Sequence, residues 1–157
     1  MMKKGISLSI ALLIILLDQL SKYWAISHLV PFESVPVLPI LSWSLAFNSG
    51  SAFSFLANAG AWHMWFFMGL STVISVGLII WIFKLDANHK HGFYQMLALV
   101  FILGGAIGNL IDRIKIGYVI DFIDVYYKSY HWPVFNLADT AICIGGAWLA
   151  LVWLREH

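Results

Sequence analysis

Two aspartates in this chain sit where a carboxyl group has unusual surroundings. Asp121 follows the apolar run Tyr118-Val119-Ile120, and burial among such residues favours a neutral carboxyl. Asp139 falls three positions after Asn136, at the start of a long apolar stretch, where the positive end of a helix dipole would face it. Contrasting surroundings of this kind are what a general acid and a general base require. If the two meet, one carboxylate can take a proton from water while its protonated partner hydrogen-bonds a substrate carbonyl. That is aspartic peptidase chemistry, and it needs no metal. Asn136-Leu137-Ala138-Asp139 also has the spacing of a capping box, because Asn is a favoured N-cap and an acidic residue three positions on can close it. Capping and catalysis do not exclude each other here.

Other chemistries fit less well. The histidines at 28, 63, 89, 91, 131 and 157 show no HExxH spacing, so neither a metal nor another cofactor is expected. Ser21, Ser49 and Ser51 are candidates for a Ser/Lys pair with Lys22, but a working base must be deprotonated and Asp18, four residues back, would hold Lys22 charged. The simplest reading of Asp18 and Lys22 is a structural ion pair. Gly104-Gly105-Ala106-Ile107-Gly108 lies inside an apolar run and lacks the Lys and Ser/Thr of a phosphate-binding loop. Cys143 is the single cysteine and reads as packing.

The elements that must position these residues follow from composition. Only 11% of the 157 residues are charged and 61% are hydrophobic, too little polar surface for a water-facing domain but ample for one facing lipid. The net charge of +1 conceals no basic tract, which sets nucleic-acid binding aside. Four segments reach the roughly 20 apolar residues needed to cross a bilayer: about 6–26, 62–83, 94–111 and 137–154. Lys3 and Lys4 before an apolar run, with Ala25-Ile26-Ser27 after it, resemble a signal peptide, yet Asp18 and Lys22 would be unusual before a cleavage site. The first span is therefore read as an anchor, and residues 1–157 as one membrane-embedded domain.

An even number of spans places both termini on one side. Lys3, Lys4, Lys84, Lys90 and Arg155 lie there, against Arg113, Lys115 and Lys128 opposite, which favours cytoplasmic termini. On the other side, Trp43-Ser44-Leu45-Ala46-Phe47 alternates like a half-buried strand, and Pro31, Pro36 and Pro39 exclude a helix before it, so a small sheet is expected. Residues 52–61, with Phe53, Phe55 and Leu56, suit a short interfacial helix. Gly104 and Gly108, with Ala141 and Gly145, offer small surfaces through which the third and fourth spans can approach. The fold class expected is all-α and membrane-embedded, with four spans and a small outer sheet.

The polar residues fall almost entirely at the sheet side: Asp18, Gln19, Lys22, Asn48, Asn109, Asp112, Arg113, Asp121, Asn136 and Asp139. A structural bundle has little use for such one-sided convergence, and a site at the membrane surface would produce it. A proton-linked carrier or lipid-binding protein, the competing class, should instead carry polar residues toward both faces.

In five places the sequence resembles the lipoprotein signal peptidases, or signal peptidase II. The motifs are Asp18-Gln19-Leu20-Ser21-Lys22, Asn48-Ser49-Gly50-Ser51-Ala52-Phe53, Gly104 through Asn109-Leu110-Ile111-Asp112-Arg113, Val119-Ile120-Asp121-Phe122 and Phe135-Asn136-Leu137-Ala138-Asp139. They occur in the family's order across most of the chain. The resemblance implies four helices, an outward-facing sheet and a mobile outer helix. It further implies an inner-membrane endopeptidase that removes the signal peptide from diacylglyceryl-modified prolipoproteins, just before the lipidated cysteine. The family's catalytic aspartates correspond to Asp121 and Asp139. Asn48 and Asn136 are candidates for contacting substrate backbone; Gly50, Asn109, Arg113, Asp18, Lys22 and Asp112 are candidates for supporting the site. Asp124 is expected to be a solvated neighbour one helical turn beyond Asp121. The expected partners are a lipid-modified prolipoprotein and membrane lipid, and the expected state is monomeric.

Overall fold

In the computed structural model, residues 2–50, 62–86, 89 and 91–155 are described. Four helices carry the apolar runs: α1 Met2–His28, α2 Trp62–Lys84, α3 Gly92–Ile116 and α4 Leu137–Leu154. All four are long and apolar enough to cross a membrane. The expected interfacial segment, residues 52–61, lies outside the described residues.

Helix α3 is the central element and packs against the other three. Its face toward α1 and α2 supplies Met96, Leu99, Val100 and Leu103 to a core completed by Ala11, Leu78 and Ile82. Small residues set the helix approaches, but not as the sequence suggested. Gly104 and Gly108 face α1, where a Cβ on Gly104 would lie 2.9 Å from Ile14 and one on Gly108 2.6 Å from Asp18 Oδ2. Gly105 and Gly145 make the α3–α4 approach instead, each backed by the other helix's backbone at Ala138 and Ala98. The reason is angular: positions 104 and 108 share one stripe of α3, and position 105 lies about 100° around from 104.

The sheet is antiparallel with strand order β1-β2-β3-β4, formed by Ser34–Leu38, Leu41–Asn48, Val119–Tyr127 and Tyr130–His131. β2 contains the alternating segment expected to be a strand. β3 was not read as a strand because its first residues are buried on both sides, so it lacks alternation. Trp24 of α1, Trp43 of β2 and Phe122 of β3 stack edge to face and tilted at 5.6–6.5 Å, fixing the sheet to the end of α1.

Two connections deliver the polar residues to one place. α3 continues to Ile116, five residues past the expected end at 111, and stops at Gly117, whose φ of 80° gives a left-handed cap. The chain then turns directly into β3. After β4 it returns along β3, with Phe122 and Ile123 donating to the Phe135 carbonyl, so that Asn136 begins α4 beside Asp121.

Close helix approach carries a stability consequence. A Cβ on Gly145 would lie 2.7 Å from the Ala98 carbonyl oxygen and 3.0 Å from the Ile102 nitrogen, whereas one on Gly77 meets nothing within 4 Å. Gly145→Ala should cost about 1–3 kcal/mol of stability, measured by unfolding in mixed micelles, while Gly77→Ala should cost nothing.

Candidate active site

Construction of the site begins with a buried cation. Lys22 is 1% exposed, and its Nζ lies 2.8 Å from Asp18, 2.7 Å from Asp112 and 2.8 Å from the Asn109 carbonyl oxygen. An ammonium has three N–H donors, and these contacts use them all. The expected Asp18–Lys22 pair is therefore present as part of a larger cluster, which also answers the Ser/Lys alternative: no donor or lone pair remains for a serine. Ser21 donates to the Asp18 carbonyl, and Ser51 lies outside the described residues.

The two carboxylates of this cluster bind backbone as well. Asp18 Oδ1 accepts the N–H of Ala138 at 2.9 Å, capping α4 from α1. Asp112 Oδ2 accepts from the N–H of Ile120 at 3.3 Å, holding the first residues of β3 against α3. Gln19 donates to Asp112 at 2.8 Å and to the Gly108 carbonyl at 3.2 Å. Sequence spacing could not show that Asp18 caps a helix 120 residues away. The only signal was that three ionisable residues fell at the same membrane depth.

Asn109 and Asn136 connect the cluster to the two candidate aspartates. Lys22 holds the Asn109 oxygen, which leaves its Nδ2 to donate to Asp139 Oδ1 at 2.8 Å. Asn136 is fully buried and forms the anticipated capping box, accepting from the Asp139 N–H at 2.8 Å while its own N–H donates to Asp139 Oδ2 at 3.3 Å. Its Nδ2 donates to Asp121 Oδ1 at 2.6 Å, with the Asn109 oxygen and the Ile120 carbonyl each at 3.2 Å. Asn136 thus meets both carboxyl groups, that of Asp121 through its side chain and that of Asp139 through its backbone N–H.

Asn48, at the end of β2, donates to the other oxygen, Asp121 Oδ2, at 3.0 Å. Its carbonyl oxygen accepts the N–H of Gly50 at 2.8 Å. Gly50 has φ of 97°, and a Cβ there would strike the Phe67 ring, so this turn requires glycine. Arg113 donates to Ser71 of α2 at 3.3 Å and to the Asn109 carbonyl at 3.5 Å. It ties α2 to the site, and none of its hydrogen bonds among the described residues reaches either aspartate.

Asp124 corrects the sequence reading. It is 4% exposed, in β3, accepting from Ser42 at 2.9 Å and pairing with His131 at 3.0 Å. The spacing of three between Asp121 and Asp124 suggested one helical turn. On a strand the same spacing sends side chains to opposite faces, and Asp124 joins the outer strands to one another, with partners distinct from those of Asp121.

Asp121 is 2% exposed. Burial, and then the charge of Asp139, push its pKa up to about 7, against the opposing hydrogen bonds from Asn48 and Asn136 and the charge of Lys22. The arrangement can therefore keep one carboxyl proton near neutral pH beside a second carboxyl held by two N–H donors.

The family model described as Signal peptidase (SPase) II matches residues 10–155. The lipoprotein signal peptidase of Polynucleobacter necessarius is 47% identical over 146 residues, covering 93% of this chain and 86% of that protein. That of Teredinibacter turnerae is 49% identical over 144 residues, covering 92% and 83%. A solved bacterial membrane enzyme structure superposes with a TM-score of 0.83 at 30% identity, covering 98% of this chain and 95% of the other. A second gives 0.80 at 28%, covering 97% and 89%.

Two outcomes follow from this geometry. Lys22→Met leaves Asp18 and Asp112 buried without their cation and should cost about 3–5 kcal/mol, read from unfolding in micelles; adding Asp18→Asn and Asp112→Asn should recover most of that loss. For Asp121, the folded pKa of about 7 lies above the ordinary aspartate value of 3.8 that holds in the unfolded chain. Between these values the folded protein keeps a proton that the unfolded chain has released, so stability falls as pH rises through that window. Thermal midpoints taken from about pH 4 to about pH 7 should fall more steeply for wild type than for Asp121→Asn.

Proposed function

The chain belongs to the signal peptidase II family, and we propose that it cleaves lipid-modified prolipoproteins just before the lipidated cysteine, using water activated between Asp121 and Asp139. Membership makes it a peptidase of lipoprotein signal peptides and a multi-pass protein of the bacterial inner membrane. The observation that carries the mechanism is Asn136, whose side-chain amide donates to the Asp121 carboxyl and whose backbone N–H donates to the Asp139 carboxyl.

In this mechanism Asp139 is the ionised partner, its carboxylate held by Asn109 and the Asn136 N–H. It takes a proton from water as the water oxygen attacks the scissile carbonyl carbon. Asp121, carrying the pair's other proton, hydrogen-bonds the carbonyl oxygen as negative charge develops there. Collapse of the tetrahedral intermediate breaks the C–N bond, and the proton held by Asp139 passes to the departing amine. Asn136 and Asn48 act here as positioning residues, since both bind Asp121, and Asn136 has no donor left for substrate.

The site faces the outer side and both termini the cytoplasm. Arg113 and Lys115, which weigh against that orientation as loop charges, are hydrogen-bonded within the fold to Ser71 and Gln19, so the flanking charge at the terminal side sets the direction. The protein acts as one membrane-embedded, monomeric domain. A carrier has no comparable support: among the described residues, the buried charged side chains are Asp18, Lys22, Asp112, Asp121 and Asp124, all at the sheet end.

Purified protein incubated with a lipidated prolipoprotein should release a product whose new N-terminus, by mass spectrometry, is the modified cysteine. Asp121→Asn and Asp139→Asn, each still folded, should lower the rate by about 10²–10⁴-fold. Near-wild-type cleavage by either variant would sink the assignment. Rate against pH should be bell-shaped, with limbs that belong to the pair jointly; a rate still climbing in alkaline solution would contradict it.

A further inference from the structure

The end of the bundle opposite the sheet holds a cavity of about 290 Å³ between the start of α3 and the end of α4. It is lined by His91, Tyr94, Trp148, Leu151, Val152 and Arg155. Among the described residues this lining offers a guanidinium, an imidazole, a phenol and an indole, all capable of donating hydrogen bonds, and no carboxylate. Arg155 forms no ion pair among the described residues. His91 is the N-cap of α3 and makes no side-chain capping bond, so the positive end of that helix adds to the same field.

The remaining wall is apolar. The spanning parts of α3 and α4 begin at Gly92 and end at Leu154, which puts the cavity where headgroups give way to hydrocarbon, with Tyr94 and Trp148 where interfacial aromatics concentrate. Free phosphate could use the donors but would gain nothing from Leu151 and Val152, whereas a phospholipid uses both. A ligand that is anionic overall suits the lining, because among the described residues it offers Arg155 to a phosphate and no acid to a choline or ethanolamine cation.

We infer that this cavity binds an anionic phospholipid, its phosphate on Arg155 and an acyl chain against Leu151 and Val152, on the membrane face opposite the aspartates. Arginine suits the role because its planar fork binds phosphate oxygens in pairs. The lipid bridges α3 and α4, the two helices that carry Asn109, Asn136 and Asp139 at their other ends.

Native mass spectrometry of the full-length protein from detergent, offered phosphatidylglycerol or phosphatidylcholine, tests the site without involving proteolysis. Wild type should retain phosphatidylglycerol about tenfold better than phosphatidylcholine. Arg155→Gln combined with His91→Gln should bring the two lipids level while leaving the lipid-free thermal midpoint unchanged. Equal retention of both lipids by wild type would overturn the inference with no variant needed. So would preference surviving in a folded double variant, or inorganic phosphate displacing the phosphatidylglycerol.

Discussion

A lysine ammonium buried at the end of a membrane bundle must be neutralised and fully hydrogen-bonded, because an uncompensated charge there is costly. Lys22 meets this demand with Asp18, Asp112 and Asn109, and the solution shapes what surrounds it. Asp18 spends its second oxygen on α4, and Asp112 accepts from β3 with the same oxygen that meets Lys22. Neutralising one cation thereby brings α1, α3, β3 and α4 into contact at a single depth. The close α1–α3 approach permitted by Gly104 and Gly108 is a condition of that arrangement, since a side chain at 108 would displace Asp18.

The polar network is consistent with chemistry because its members are committed before substrate arrives. The Asn109 amide is oriented by Lys22, so its N–H group can only donate toward Asp139; Asn136 caps its own helix while holding Asp121. Such preorganisation means that the groups need not reorient as charge moves. The same residues account for the shared sequence motifs. An asparagine whose side-chain oxygen caps its helix while its amide donates to the Asp121 carboxyl does what serine or aspartate cannot, although either would cap a helix as well.

The spans, the outer sheet, the Asp18–Lys22 pair and the capping box at Asn136 were readable from sequence because each rests on local periodicity or spacing. What escaped was non-local or two-sided. β3 is buried on both faces and so shows no alternation, and its aspartates at a spacing of three imitated a helix. Asp124 consequently looked solvated when it is buried against Ser42 and His131. The partners of Gly104 and Gly105 could not be separated either, because spacing reveals which residues share a helix face but not which neighbour that face meets. Asp18 as the cap of α4 needed the third dimension outright.

The account stands on the claim that Asp121 and Asp139 interact strongly enough to share a proton. Infrared difference spectroscopy of the protonated carboxyl band during a pH titration reads this directly. Wild type should show a carboxyl that titrates near neutral pH, absent in Asp121→Asn and shifted to lower pH in Asp139→Asn, where the neighbouring charge is gone. A midpoint unmoved by Asp139→Asn, or a band that persists in Asp121→Asn and vanishes in Asp124→Asn, would contradict the pairing.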